Sequence, residues 1–169
     1  MPRAVEREML ALASRIGAVL VEQRRTLGVV ETSAGGALCH AIASVPGSSR
    51  WFVGGIVAYS TAIREQILGM ESRQEAGAVS MEHAIALASR GRRRLNADWC
   101  VSETGIAGPT EGRRSTKPAG LVYVAVVGRR DTGDVALWRE HSTGSDERVP
   151  NQIAFADAAL KLLADALMA

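Results

Sequence analysis

From Leu27 to Gly36 the chain reads LGVVETSAGG, an apolar run that passes through one acid and small residues into two glycines. LGVVE has the make-up of a short buried strand. AGGALCHAIASV after it reads as a helix from about Gly35 to Val45, ended by the turn PGSS. A strand that turns directly into a helix is the unit of α/β architecture, and its turn is where such proteins gather their ligands.

The alternation continues on both sides. Val5, Met9, Leu12, Ile16 and Val19 lie on one stripe of a first helix, which should end near Arg24 and Arg25. WFVGGIVAYS is β-rich, and its glycines suggest a close approach by another backbone. TAIREQILGM reads as a short helix ending at Gly69, and Ser80 as the cap of a helix from Met81 to about Leu95. ADWCVSETGIAGP is a strand running into a Gly/Pro loop. GLVYVAVVG and DVALWREH form two strands of a hairpin joined through RRDTG. In the last helix Val149, Ile153, Ala156, Leu160, Leu163 and Leu167 share a stripe, with Asp146 or Ser145 as its cap and Pro150 in its first turn. The expected fold class is α/β: a single-domain, three-layer α/β/α sandwich with a mixed sheet.

Composition bounds the function. The 169 residues are 47% hydrophobic and 22% charged with a net charge of +2, the balance of an ordinary soluble globule. Cys39 and Cys100 form no CxxC and read as reduced, buried thiols. No apolar run approaches the roughly 20 residues of a membrane span, and MPRAVEREML lacks a signal-peptide core. A cytoplasmic protein with no membrane partner is expected. His40, His83 and His141 are scattered, so no metal site is expected, and no cofactor either. The run RGRRR suits a solvated helix end rather than a nucleic-acid surface, since no aromatic residues interleave with it.

Three glycine-bearing loops carry the candidate chemistry: Glu31 to Gly36, Gly105 to Gly112, and TKPAG from Thr116 to Gly120. Gly35 and Gly36 would let backbone N–H groups at a helix start approach an anion, with charge added by Lys117, Arg113 and Arg114. Glu31 suits a helix cap, an arginine partner or a functional acid. Ser33 suits an N-cap or a nucleophile.

ETSAGG, VPGSSRWFVGGIVAYS, AGAVS, TGIAGP and KPAGLVYVAV follow one another in the order and spacing of the CinA C-terminal domain family, which the chain resembles from about Val5 to Leu167. The separate N-terminal domain of full-length CinA proteins is not expected within this sequence. The family includes stand-alone nicotinamide-nucleotide amidases. The resemblance implies an α/β/α fold, a metal-free hydrolysis of the carboxamide of nicotinamide mononucleotide, and a serine activated by a lysine with a tyrosine nearby. Homo-oligomers are common among small domains of this type, and one is expected here.

The resemblance is incomplete at the chemical positions. Glu31, Gly35 and Gly36 match, but Thr32 stands where the family has its serine, with Ser33 and Ala34 replacing a cysteine and a threonine. Tyr59 and Ser60 match, while Arg64 stands in place of the lysine. Gly105, Ile106, Ala107, Gly108 and Pro109 match, and Thr110, Glu111 and Gly112 replace a glycine-rich continuation. Lys117, Pro118 and Gly120 match, and Pro150 falls where an arginine commonly opens the last helix.

Burial and neighbouring cations can lower a lysine pKa until it accepts a proton, but a guanidinium stays protonated. The Thr32 methyl also crowds the approach of its hydroxyl. The expectation is therefore a CinA-like protein that keeps a pocket for a small nucleotide, nicotinamide mononucleotide or similar, with impaired or lost amidase activity. The alternative is an active amidase using Thr32 or Ser33, with Glu31 or Lys117 as its base.

Overall fold

The computed structural model describes residues 2–71, 77–109 and 116–169, with side chains from residue 4 onward. Thr110, Glu111, Gly112, Arg113 and Arg114 lie outside the described residues. Five helices and five strands follow one another as α1 (Pro2–Gln23), β1 (Leu27–Glu31), α2 (Ala37–Ala43), β2 (Phe52–Val57), α3 (Thr61–Leu68), α4 (Met81–Leu95), β3 (Trp99–Gly105), β4 (Leu121–Arg130), β5 (Gly133–Ser142) and α5 (Arg148–Met168). A 3-10 turn at Ser48–Arg50 leads into β2.

The sheet order is β2-β1-β3-β4-β5. β1 pairs in parallel with both β2 and β3, whereas β4 runs antiparallel to β3 and β5 antiparallel to β4. This is the mixed sheet expected for a chain that alternates strand and helix early and closes with a hairpin.

Side chains alternate across a strand, so each strand feeds two cores. Leu27, Val29, Trp99, Val101, Val122, Val124 and Val126 pack with α1, α2 and α5 on one face. Val30, Cys100, Ala125 and Val127 pack with α4 and the ends of α3 on the other. The three layers follow directly. Ser80 caps α4 by accepting the His83 N–H, and Ser60 caps α3 by accepting that of Ile63.

Some local expectations fail for identifiable reasons. α2 begins at Ala37 rather than Gly35, because Gly35 and Gly36 both take positive φ (66° and 108°) and cannot continue a right-handed helix. Glu147, not Asp146 or Ser145, precedes the first turn of α5 and makes no capping bond through its side chain. Val149 is 63% exposed, so the buried stripe of α5 starts at Phe155 and Ala156, after the half-buried Ile153. At Gly55 the close neighbour is a side chain rather than a backbone: an added Cβ would collide with the Cys39 sulfur.

Candidate active site

β1, β2 and β3 present their C-terminal ends at one edge of the sheet. The chain leaves β1 through α2 toward β2, then returns through α3 and α4 to β3 on the other side. β1 is therefore the switch point where the connections diverge, the usual location of a ligand crevice in an open α/β sheet. A cavity of about 350 Å3 lies there, within the roughly 300–1,000 Å3 of small-molecule sites. Thr32 and Ser33 line it from the β1 turn, Tyr59 and Arg64 from the β2–α3 junction, and Gly105, Ile106, Ala107 and Gly108 from the loop after β3.

The remaining sequence candidates have other positions. Ser60 caps α3. Pro109 is exposed beyond the lining. Lys117 sits behind the wall, its ammonium bonded to the Val79 carbonyl and 5.3 Å from the centroid of the Tyr123 ring. Glu31 is fully buried below the cleft.

The turn after β1 is wrapped around two buried carboxylates. Glu31 accepts the backbone N–H groups of Gly36, Leu38 and Cys39 at 2.9, 3.1 and 2.7 Å. Glu103 Oε1 accepts those of Thr32 and Ala34 at 2.5 and 2.9 Å, and its Oε2 accepts the Ser33 hydroxyl at 2.6 Å. The anion site expected at Gly35 and Gly36 is thus filled from within: Glu31 occupies the N–H groups that an external phosphate would need. Ser33 is not an N-cap, since Gly36 holds that position and the Ser33 hydroxyl donates to Glu103.

Burial pushes the Glu103 carboxyl up to about 7, against the lowering effect of its three hydrogen bonds and with a smaller upward push from Glu31. Glu103 is the functional candidate that sequence reasoning passed over. Its signal was present: in WCVSETG, positions 99, 101 and 103 share one face, and the third is an acid in a strand otherwise fit only for burial.

The two residues at the expected dyad positions are both engaged. The Thr32 hydroxyl, in a residue 6% exposed, donates to the Glu103 carbonyl at 3.2 Å. Arg64 donates to the carbonyls of Ala58 and Tyr59 and to the Thr61 hydroxyl, each at 3.0 Å. Burial lowers its pKa, but a guanidinium still carries its charge at neutral pH.

The start of α5 holds the cleft together. Arg148 lines it and donates to the Gly108 carbonyl at 2.6 Å and to the Tyr59 hydroxyl. Asn151, 1% exposed, donates to the Ala107 and Ser145 carbonyls at 2.9 Å. Gln152 donates to the Ser33 carbonyl at 3.0 Å. Position 150, where the resemblance implies an arginine, is a proline. The guanidinium enters from the first residue of the helix instead.

Comparison with known proteins adds the family. The family model described as the CinA C-terminal domain matches residues 9–167. The chain belongs to the CinA C-terminal domain family. A CinA-like protein of a Synechococcus species is 45% identical over 120 residues, covering 70% of this chain and 28% of that protein. One from Gloeobacter violaceus is 38% identical over 147 residues, covering 85% and 34%. The chain thus spans about a third of the length of such relatives.

Among solved structures, the competence/damage inducible protein CihA from Agrobacterium tumefaciens superposes with a TM-score of 0.85 at 30% identity, covering 95% of this chain and 96% of that one. A CinA-superfamily protein from Enterobacter cloacae gives 0.85 at 23% identity over 94% and 92%, a likeness of fold. Among the described residues no helix is long and apolar enough to cross a membrane.

Proposed function

We propose that this CinA-family chain binds a small phosphorylated nucleoside of the nicotinamide mononucleotide class in the cleft, and that amide hydrolysis through positions 32 and 64 is lost. One observation carries this reading: the Arg64 guanidinium is committed to two carbonyls and a hydroxyl at its own helix start. It has no lone pair with which to take a proton from Thr32. Cavity size and the Arg148 guanidinium in the lining support ligand binding. Both terminal nitrogens of Arg148 donate within the protein, to the Gly108 carbonyl and the Tyr59 hydroxyl, and a guanidinium has five N–H donors in all, so further donors and the full charge face a phosphate.

Two measurements test the proposal. In a thermal-shift titration, nicotinamide mononucleotide raises the melting midpoint, because a ligand that binds only the native state stabilises it by mass action. Arg148→Ala reduces that shift. In a parallel assay of ammonia release, the protein shows no turnover above background. Turnover comparable to a family amidase and abolished by Thr32→Val overturns the loss of activity. No shift at millimolar nucleotide overturns the binding.

A further inference from the structure

The cleft contains a second hydroxyl whose proton acceptor is already in place. We propose that Ser33 is an acyl-transfer nucleophile with Glu103 as its base, acting on esters or other activated acyl groups of ligands that enter this cleft; the site is the one read above as a nucleotide pocket, and the inference rests on that reading only for the identity of the ligand. Ser33 is half-buried and lines the cavity, while Glu103 lies fully buried beneath it, 2.6 Å from Oγ. The Thr32 and Ala34 N–H groups hold the other carboxylate oxygen, so the base is fixed in orientation before any substrate arrives.

The chemistry balances without a further reactant. Ser33 Oγ forms a bond to the acyl carbon as its proton passes to Glu103 Oε2. The carbon–oxygen bond to the leaving group then breaks, and the alkoxide takes that proton. Water repeats the sequence on the acyl-serine, giving the acid and restoring both residues. A carboxamide is the poorer substrate, because its nitrogen leaves only once it is protonated, whereas the oxygen of an activated ester leaves as a stable anion and takes up its proton afterwards. That distinction lets the cleft be inert toward an amide and competent toward an ester.

A carboxyl titrating near neutrality is matched to general-base work at neutral pH. The titratable and charged groups on the elements around it include Glu31 of β1, Cys39 and His40 of α2, Tyr123 of β4 and Arg148 of α5, with Arg64 of α3 and His83 of α4 across the sheet. Of these it is Glu31 that shifts the Glu103 equilibrium, upward.

The test uses 4-nitrophenyl acetate with the full chain, following nitrophenolate release and mapping the acetylated residue by peptide mass. The expected result is acetyl on Ser33 and a rate that rises with pH and levels off above about 7. Ser33→Ala and Glu103→Gln each lower release by a factor in the roughly 10²–10⁴ range of general-base catalysis. Should Glu103→Gln fail to fold, Ser33→Ala and the wild-type pH profile decide the matter. Acetylation elsewhere, or unchanged release from Ser33→Ala, overturns the proposal. A thermal shift with nicotinamide mononucleotide that survives Ser33→Ala leaves the nucleotide reading intact when esterolysis fails. Esterolysis without that shift refutes the ligand alone.

Discussion

Glu31 accepts the Cys39 backbone N–H at 2.7 Å, so an acid at the end of one strand closes the start of the following helix. Its other contacts, to Gly36 and Leu38, make it the only side chain that satisfies this helix start among the described residues. A helix leaves its first N–H groups without intrahelical partners, and burial makes each unmet donor costly. Glu31→Ala therefore loses about 2–4 kcal/mol, more than an exposed cap, since three backbone donors of a buried helix start lose their acceptor. Urea denaturation reads this directly, and a loss below that of an exposed cap contradicts the arrangement.

The pH dependence of stability contains two opposing slopes. Glu103 has its folded pKa raised to about 7 by burial. The native state then holds a proton that the unfolded state has released, so its contribution is present at acid pH and is lost as pH rises from the ordinary carboxyl range to about 7. His83 is the reverse: burial, with the Arg64 charge, lowers it to about 4. Its contribution is present above the ordinary imidazole value and is lost as pH falls toward 4. Between about pH 4.5 and 6.5 the two nearly cancel in the wild type. Glu103→Gln leaves a protein that gains stability as pH rises through this window, and His83→Gln one that loses it. Denaturant midpoints at several pH values test this, and parallel slopes in the two variants refute it.

Much of this arrangement was legible beforehand, because hydrophobic period and punctuation specify elements one at a time. The α4 boundaries, Met81 and Leu95, coincide with those read from the Ser80 cap. The hairpin of β4 and β5 was also legible, although pairing extends through Arg130 and Gly133 and leaves a two-residue turn at Asp131 and Thr132. The cleft residues at 32, 33, 59, 64 and 105 to 108 came from their resemblance to family motifs. What sequence could not reveal was which polar groups would consume one another. Glu31 at a strand end suggests a cap, but only the fold shows that it fills the anion site beside Gly36. Glu103 and Ser33 are 70 positions apart, and no local pattern links them.

Gly91 is a helical glycine whose replacement separates propensity from packing. Alanine in a helix interior gains about 1 kcal/mol over glycine. Here α4 lies on β1, and a Cβ at 91 would overlap Val30 Cγ2 and sit 3.1 Å from the Cys100 sulfur. Val30 is buried and β-branched, so it cannot rotate away freely. Overpacking costs about 1–3 kcal/mol, which outweighs the propensity gain. Gly91→Ala is expected to lower the denaturation midpoint. A raised midpoint shows that α4 and β1 can separate enough to admit the methyl group.

The loss of amide hydrolysis attributed to Thr32 and Arg64 is reversible in principle, and the environment of Arg64 indicates how. Burial lowers the pKa of the guanidinium itself. The same desolvation acts on any cation at that position, and a lysine amine starts from a far lower value, about 10.4, so it can be driven toward neutrality. Thr32→Ser removes the methyl that crowds the hydroxyl, and Arg64→Lys frees the three acceptors while supplying an amine able to take a proton. The double variant should release ammonia from nicotinamide mononucleotide at a measurable rate, whereas each single variant stays near background because nucleophile and base act as a unit. Background rates from the double variant, with its thermal shift intact, would place the obstacle elsewhere in the cleft. Ala34 and the Arg148 entry in place of an arginine at 150 are then the next positions to exchange.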